Sequence, residues 1–232
     1  MELILLAATE AEIGPTLDYL KKKFPCRDKE FYLEENIKVK ALICGVGPAA
    51  SALAVGMLKP SPNTLIIHAG VSGAYDPGIP LGTLLEIGKE RWGDLGAEDR
   101  DGSFIDIFQL GLLNPEIPPY LGGWIHNLAS PATDLPLCAG ITVSRTSGSA
   151  SSIRSYSETY PEAVESMEGA GIFLACRTKG IPFVSIRAIS NTVQPRDKSQ
   201  WKMDLALENL NNYLINSILS SETLYRKLMS SN

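Results

Sequence analysis

Short, continuously apolar runs alternate along the chain with stretches of mixed polarity. Residues 3–8 are apolar throughout and stop at the polar pair Thr9-Glu10, which is the pattern of a strand covered on both faces. Residues 65–69, 83–87, 140–144, 163–167 and 183–189 read as further strands, mostly apolar. Residues 31–35 and 39–44 read as two more strands joined through Asn36. Helices are predicted over 49–58, 150–159 and 201–219. In the last, Leu205, Leu207, Leu210, Leu214 and Ile218 recur at near-helical spacing. A further apolar helix follows Glu168 and ends at the turn Lys179-Gly180-Ile181-Pro182. This alternation predicts an α/β fold with a mixed, mainly parallel central sheet between two helical layers, an α/β/α sandwich. No linker interrupts residues 1–232, so a single domain is expected, with residues 220–232 polar enough to form a disordered tail.

The junctions between runs carry the polar detail. Thr9-Glu10-Ala11-Glu12 fits a capping box, in which Glu12 would only cap a helix. Pro15 opposes a helix begun at Glu10, because the ring would fall in the second turn and clash with a preceding carbonyl. A helix begun near Pro15 places the proline in the first turn, where it is tolerated, and leaves Glu12 in the loop after the first strand. Gly45-Val46-Gly47 follows a strand and opens a helix. It lacks the third glycine and the downstream acid of a dinucleotide loop, so a tight turn with close helix packing is the reading. Gly70-Val71-Ser72-Gly73-Ala74 reads as a glycine loop where backbone can approach a small ligand. Residues 89–127 form the least regular segment, and segments of that length are usually functional or mobile.

Residues 165–191 hold the densest set of polar candidates. Glu165 and Glu168 precede a helix, and the strand beyond it ends in Ser190-Asn191. Polar groups at helix starts and strand carboxyl ends meet on one edge of a parallel sheet, where open α/β folds bind ligands.

Composition narrows the chemistry. The formal charge is −5, which disfavours nucleic acid and anionic membranes as partners. Two histidines disfavour a histidine-rich metal site. Cys26, Cys44, Cys138 and Cys176 are widely spaced without a CxxC pair, as expected of reduced thiols in a cytoplasmic protein. The first residues carry no basic leader and no run is long enough for a membrane span. Residues 1–20, 41–58 and 60–88 contain no Lys or Arg. Free phosphate as a co-substrate is therefore disfavoured, since such sites usually add arginines.

With these residues in order, the chain resembles the purine nucleoside phosphorylase-like superfamily, in particular its nucleosidase branch. The motifs that carry the likeness are the Thr9-Glu10-Ala11-Glu12 segment, Gly45-Val46-Gly47, the glycines from Gly70, Ser166-Met167-Glu168-Gly169-Ala170 and Arg187-Ala188-Ile189-Ser190-Asn191. Within the branch it looks most like the futalosine hydrolases. The methylthioadenosine/adenosylhomocysteine nucleosidases and a non-catalytic nucleoside-binding member remain as alternatives. The resemblance implies a cofactor-free enzyme, usually a homodimer, that splits a purine–ribose bond with water. It implies Glu12 as the base for water, Arg187 as the cation ordering water and acid, and Glu168 as the acceptor of the ribose hydroxyls. Met167 would pack against the sugar, and Val71 stands near the water where the branch has a serine. Thr146 and Ser147 would line the base pocket, Trp201 would cover the 5′ side, and Ser166, Val46, Gly70 and Ser190 would also contact the substrate. Asn191 stands where the adenine-specific members carry Asp. An amide cannot be a general acid but can donate to purine N7, which implies an oxopurine such as hypoxanthine. The aromatic carboxylate at the 5′ end of futalosine would need a cation, for which Arg91, Arg100, Arg145 and Arg196 are candidates.

Overall fold

The computed structural model describes residues 1–34 and 37–219. The expected joint at Asn36 and the expected tail at 220–232 lie outside them. The chain opens with β1 (Glu2–Ala7), α1 (Glu10–Lys23), β2 (Cys26–Arg27), β3 (Glu30–Glu34), β4 (Ile37–Ile43) and α2 (Pro48–Gly56). Two long strands follow, β5 (Thr64–Ala74) and β6 (Leu84–Trp92). Short pieces β7 (Gly96–Glu98), β8 (Phe104–Asp106), β9 (Tyr120–Leu121) and β10 (Trp124–His126) occupy the irregular segment. The last third contains β11 (Leu137–Thr142), α3 (Ala150–Thr159), β12 (Ala163–Ser166), α4 (Gly169–Lys179), β13 (Phe183–Thr192) and α5 (Met203–Tyr213).

The sheet is mixed. β1 lies between β4 and β5 and is parallel to both. β13 is parallel to β5 and antiparallel to β6. β6 is parallel to β11, which is parallel to β12. β12 returns to the far end of β5 through Val164–Ala74 and Glu165–Gly73. Pairing therefore closes on itself through β5, β13, β6, β11 and β12, and the carboxyl ends of several strands converge.

Side-chain alternation explains the two helical layers. Leu3, Leu5 and Ala7 of β1, with Leu65, Ile67 and Ala69 of β5, pack under α1 and α5. Ile4, Leu6 and Ile66, with Phe183 of β13, pack under α2 and α4. Continuously apolar strands are required because both faces are covered. α2 and α4 approach closely at Gly171, where a Cβ would lie 2.8 Å from Ser51 Oγ.

Several boundaries differ from expectation, and β6 and β13 run on to Trp92 and Thr192; three further differences bear on the site. The first helix starts at Glu10, not near Pro15, so the proline sits inside α1. Asn211 of α5 explains the tolerance: its Oδ1 accepts from the Thr16 N–H (3.0 Å) and hydroxyl (2.6 Å), and its Nδ2 donates to Glu12 O (2.9 Å). Both backbone groups just around the proline thus have partners that a disturbed helix ladder would leave unpaired. Residues 70–74 are no loop but the second half of β5, mostly buried. Trp201 precedes the last helix, which begins at Met203, and follows a short 3₁₀ turn at Lys198–Gln200.

Candidate active site

A cavity of about 420 Å³ opens where the carboxyl ends of β1, β5, β12 and β13 meet, the position expected for ligands in α/β sheets. All of the sequence-predicted site residues line it except Gly70 and Arg187: Glu12, Val46, Val71, Thr146, Ser147, Ser166, Met167, Glu168, Ser190, Asn191 and Trp201. Gly70 and Arg187 stand behind its wall.

Glu12 both caps its helix and faces the cavity. Its Oε2 accepts from the Thr9 N–H (2.9 Å) and hydroxyl (3.3 Å), the capping interaction. Its Oε1 accepts from the Val71 N–H at 3.3 Å. The capping and the catalytic readings of this residue are therefore compatible, one oxygen serving each side.

Glu168 is the N-cap residue of α4 and is buried. Gly47 N–H donates to its Oε1 at 3.1 Å. Gly47 holds φ = 99°, a conformation open mainly to glycine. The Gly45-Val46-Gly47 turn, read above only as packing, thus also presents a donor to Glu168 and puts Val46 on the cavity. Burial pushes the Glu168 carboxyl above its ordinary range, while Arg187 and the Gly47 N–H oppose the shift. Arg187 Nη2 lies 3.9 Å from Glu168 Oε2, and Arg187 itself is almost wholly buried. Gly70 makes room for it. A Cβ there would collide with the guanidinium and come within 2.8 Å of Glu12 Oε1.

Asn191 owes its place to a break in β13. Ile189 pairs with Ser72 and Asn191 with Gly73, which leaves Ser190 as an extra residue in the register. Such a bulge re-aims side chains. Neighbours in a regular strand face opposite ways, yet Ser190 and Asn191 both line the cavity. Ser190 Oγ donates to Asn191 Oδ1 (2.8 Å), and Asn191 Nδ2 donates to Thr192 O (3.1 Å). The amide nitrogen carries two protons, so one remains for a ligand.

Several residues at the cavity have contacts that the sequence did not assign, Glu165 among them although it was a candidate. Glu165 accepts from Ser147 N–H (3.0 Å), Ser147 Oγ (2.6 Å) and Tyr75 OH (2.6 Å), so it anchors the loop that carries Thr146 and Ser147. Ser72 lines the cavity with a buried hydroxyl that, like Ser166 Oγ, finds no partner among the described residues. Met203 and Leu207 add apolar wall beside Trp201. Of the four candidate arginines, Arg196 alone lines the cavity. Its guanidinium lies 5.4 Å from the Trp201 ring centre and donates to Thr146 Oγ1 at 3.4 Å. Arg91 is paired with Asp106 at 2.6 Å.

Residues 2–219 match the phosphorylase superfamily, and the chain belongs to it. Its relatives include the futalosine hydrolase of Streptomyces coelicolor, 34% identical over 180 residues that span 73% of this chain and 74% of that one. The futalosine hydrolase of Acidothermus cellulolyticus is 29% identical over 217 residues, 89% of this chain and 86% of its own. Among solved structures, the 5′-methylthioadenosine/S-adenosylhomocysteine nucleosidase of Helicobacter pylori superposes with a TM-score of 0.71 at 15% identity, covering 94% of this chain and 97% of that one. At that identity the likeness establishes the fold.

Proposed function

We propose that the protein is a nucleoside N-glycosyl hydrolase that uses water to release hypoxanthine from futalosine. The observation that carries the substrate reading is Asn191. The strand end facing the cavity offers a neutral amide donor rather than an acid. The named activity of the two relatives supports it.

Each group has a role in one balanced step. The bond from ribose C1′ to purine N9 breaks and its electron pair leaves with the purine. Glu168 accepts hydrogen bonds from the two vicinal ribose hydroxyls, to which a carboxylate offers two oxygens. Glu12 takes a proton from water as the oxygen bonds to C1′, and its negative charge favours the cationic sugar of the transition state. Arg187 restrains the two acids from behind. Asn191 donates to N7 as negative charge builds on the base. Because an amide has no proton to give up, the departing purine takes its proton from solvent. Arg196 and Trp201 supply a cation and an aromatic face for a 5′ substituent that is aromatic and anionic.

Incubation of purified protein with futalosine in phosphate-free buffer, with chromatography of the products, tests this. Hypoxanthine release at a rate unaffected by added phosphate is expected. No release, or a requirement for phosphate, would reject it. Faster turnover of methylthioadenosine would transfer the assignment to the adenine-specific branch.

A further inference from the structure

Besides the Glu168 carboxylate, the Arg187 guanidinium meets an imidazole. Its Nη2 lies 2.8 Å from His68 Nε2. His68 is completely buried, and its Nδ1 lies 3.0 Å from Ser185 Oγ. His68 and Ser185 are register partners on β5 and β13, as are Gly70 and Arg187 two residues on. The four side-chain positions therefore share one face. Arg187 Nε finds no partner among the described residues, so the 2.8 Å contact with His68, shorter than the 3.9 Å ion pair with Glu168, is a main restraint on the guanidinium.

A guanidinium only donates hydrogen bonds. Nε2 of His68 must therefore be the bare nitrogen, and Nδ1 carries the proton toward Ser185 Oγ. We propose that His68 is a positioning residue for the hydrolysis: locked by Ser185 as a neutral Nδ1–H imidazole, it holds Arg187 from behind and turns the cation toward Glu168 and, across Gly70, toward Glu12. This rests on the functional reading above. His68 and Ser185 do not line the cavity and act only through Arg187.

A neutral acceptor suits the position. A carboxylate there would form a charge-assisted bond of its own with the guanidinium and draw it away from the two acids. An apolar side chain would leave a buried donor unpaired. Burial, with Arg187 adding to it, holds the imidazole pKa well below the usual range, so it stays uncharged beside the cation. The ionisable groups coupled to this cluster are Glu12 from α1, Glu168 at the start of α4, Glu90 on β6 and Cys44 after β4. The hydrogen-bond partners of the ring itself are Ser185 and Arg187.

The chain has two histidines, so ¹⁵N NMR of the intact protein reads the tautomer directly. The His68 signal should show a protonated Nδ1 and a bare Nε2, unchanged from pH 5 to pH 8. An Nε2–H tautomer or an imidazolium in that range would overturn the proposal, whatever the substrate. Kinetics on futalosine supply the second arm. An inactive wild type would reject the functional reading and leave the tautomer result standing. With an active wild type, His68→Leu should lower kcat roughly tenfold to a hundredfold, the cost of orphaning a buried charged donor, with little change in KM. Its acidic pH limb should move upward, because the two carboxylates lose a fixed cation. His68→Gln, whose carbonyl can accept in place of Nε2, should restore most of kcat. A folded His68→Leu protein with wild-type kcat and pH profile would overturn the assignment. Should His68→Leu fail to fold, Ser185→Ala decides: a lower kcat with a mixed tautomer supports the lock, and an unchanged kcat and tautomer overturns it.

Discussion

The two ends of the cavity are built on opposite plans. At one end Glu12 and Glu168 are buried, pinned by backbone N–H groups of Thr9, Val71 and Gly47, and backed by Arg187 and His68. At the other, Thr146 and Arg196 lie on exposed loop segments, with Trp201 only half-buried. The first end arises from core elements whose packing leaves little freedom, as reacting groups require. The second belongs to connections that can vary without disturbing the sheet. In the proposed reaction, chemistry and substrate choice are thus carried by different physical parts, with Asn191, on a bulge between them, belonging to both.

The largest effect should come from the buried end. Glu12→Gln keeps an acceptor for the Thr9 cap but removes the base. kcat should fall by about 10²–10⁴-fold, the usual worth of general base catalysis, with KM nearly unchanged and a modestly lower thermal midpoint, because the Val71 N–H loses its acceptor. Steady-state kinetics with a melting curve check both halves, and retained turnover would remove Glu12 from the role.

The next effect concerns Glu90, a fully buried carboxyl beneath the same end, bonded to Thr142 Oγ1 at 2.9 Å. A Cβ on either Gly140 or Gly169 would collide with it. Burial pushes its pKa to about 8, against the opposing pull of Arg187 and Thr142. The folded state therefore binds this proton more tightly than the unfolded chain. The stability it confers is complete below about pH 4.5 and is lost as pH rises through about 8. Glu90→Gln cannot ionise, so its stability relative to wild type should grow between pH 5 and pH 8.5, on the order of a few kcal/mol. Denaturant titrations at the two pH values measure this, and a constant difference would contradict it.

Gly70→Ala should cost roughly 1–3 kcal/mol through overpacking and lower kcat as well, because the added methyl displaces Arg187 and Glu12 together. At the open end, Arg196→Ala should leave the melting curve unchanged. It should raise KM for an anionic 5′ substituent by about tenfold, the ~1.4 kcal/mol of one exposed charge-assisted contact, and leave a neutral 5′ analogue unaffected. Equal losses on both would show that Arg196 only packs on Trp201.

The sequence was most readable where physics is local. Apolar runs marked the strands through the double burial they must satisfy, and the acids at strand and helix ends were legible as a group that lines one cavity. What it concealed is non-local. The start of α1 was placed too late because the cost of Pro15 is offset by Asn211, 195 residues from its partner Thr16. Gly70 to Ala74 looked like a loop, although its glycines serve to admit Arg187, Glu12 and Asn191 beside a buried strand. His68 read as an ordinary residue in an apolar run, because its contacts depend on Ser185 and Arg187 lying across a strand pair. The bulge at Ser190, which turns two consecutive side chains into one cavity, has no periodic signature.

In the proposed reaction, a neutral donor at the bulge, rather than an acid, directs the site to an oxopurine. The ratio of kcat/KM for an inosine-type nucleoside to that for its adenosine counterpart, compared between wild type and Asn191→Asp, tests it most directly. The ratio should exceed one in the wild type and fall by roughly ten- to a hundredfold in the variant, the effect of replacing one half-buried hydrogen-bonding group by another of different donor pattern. A ratio that does not change on substitution would contradict the claim.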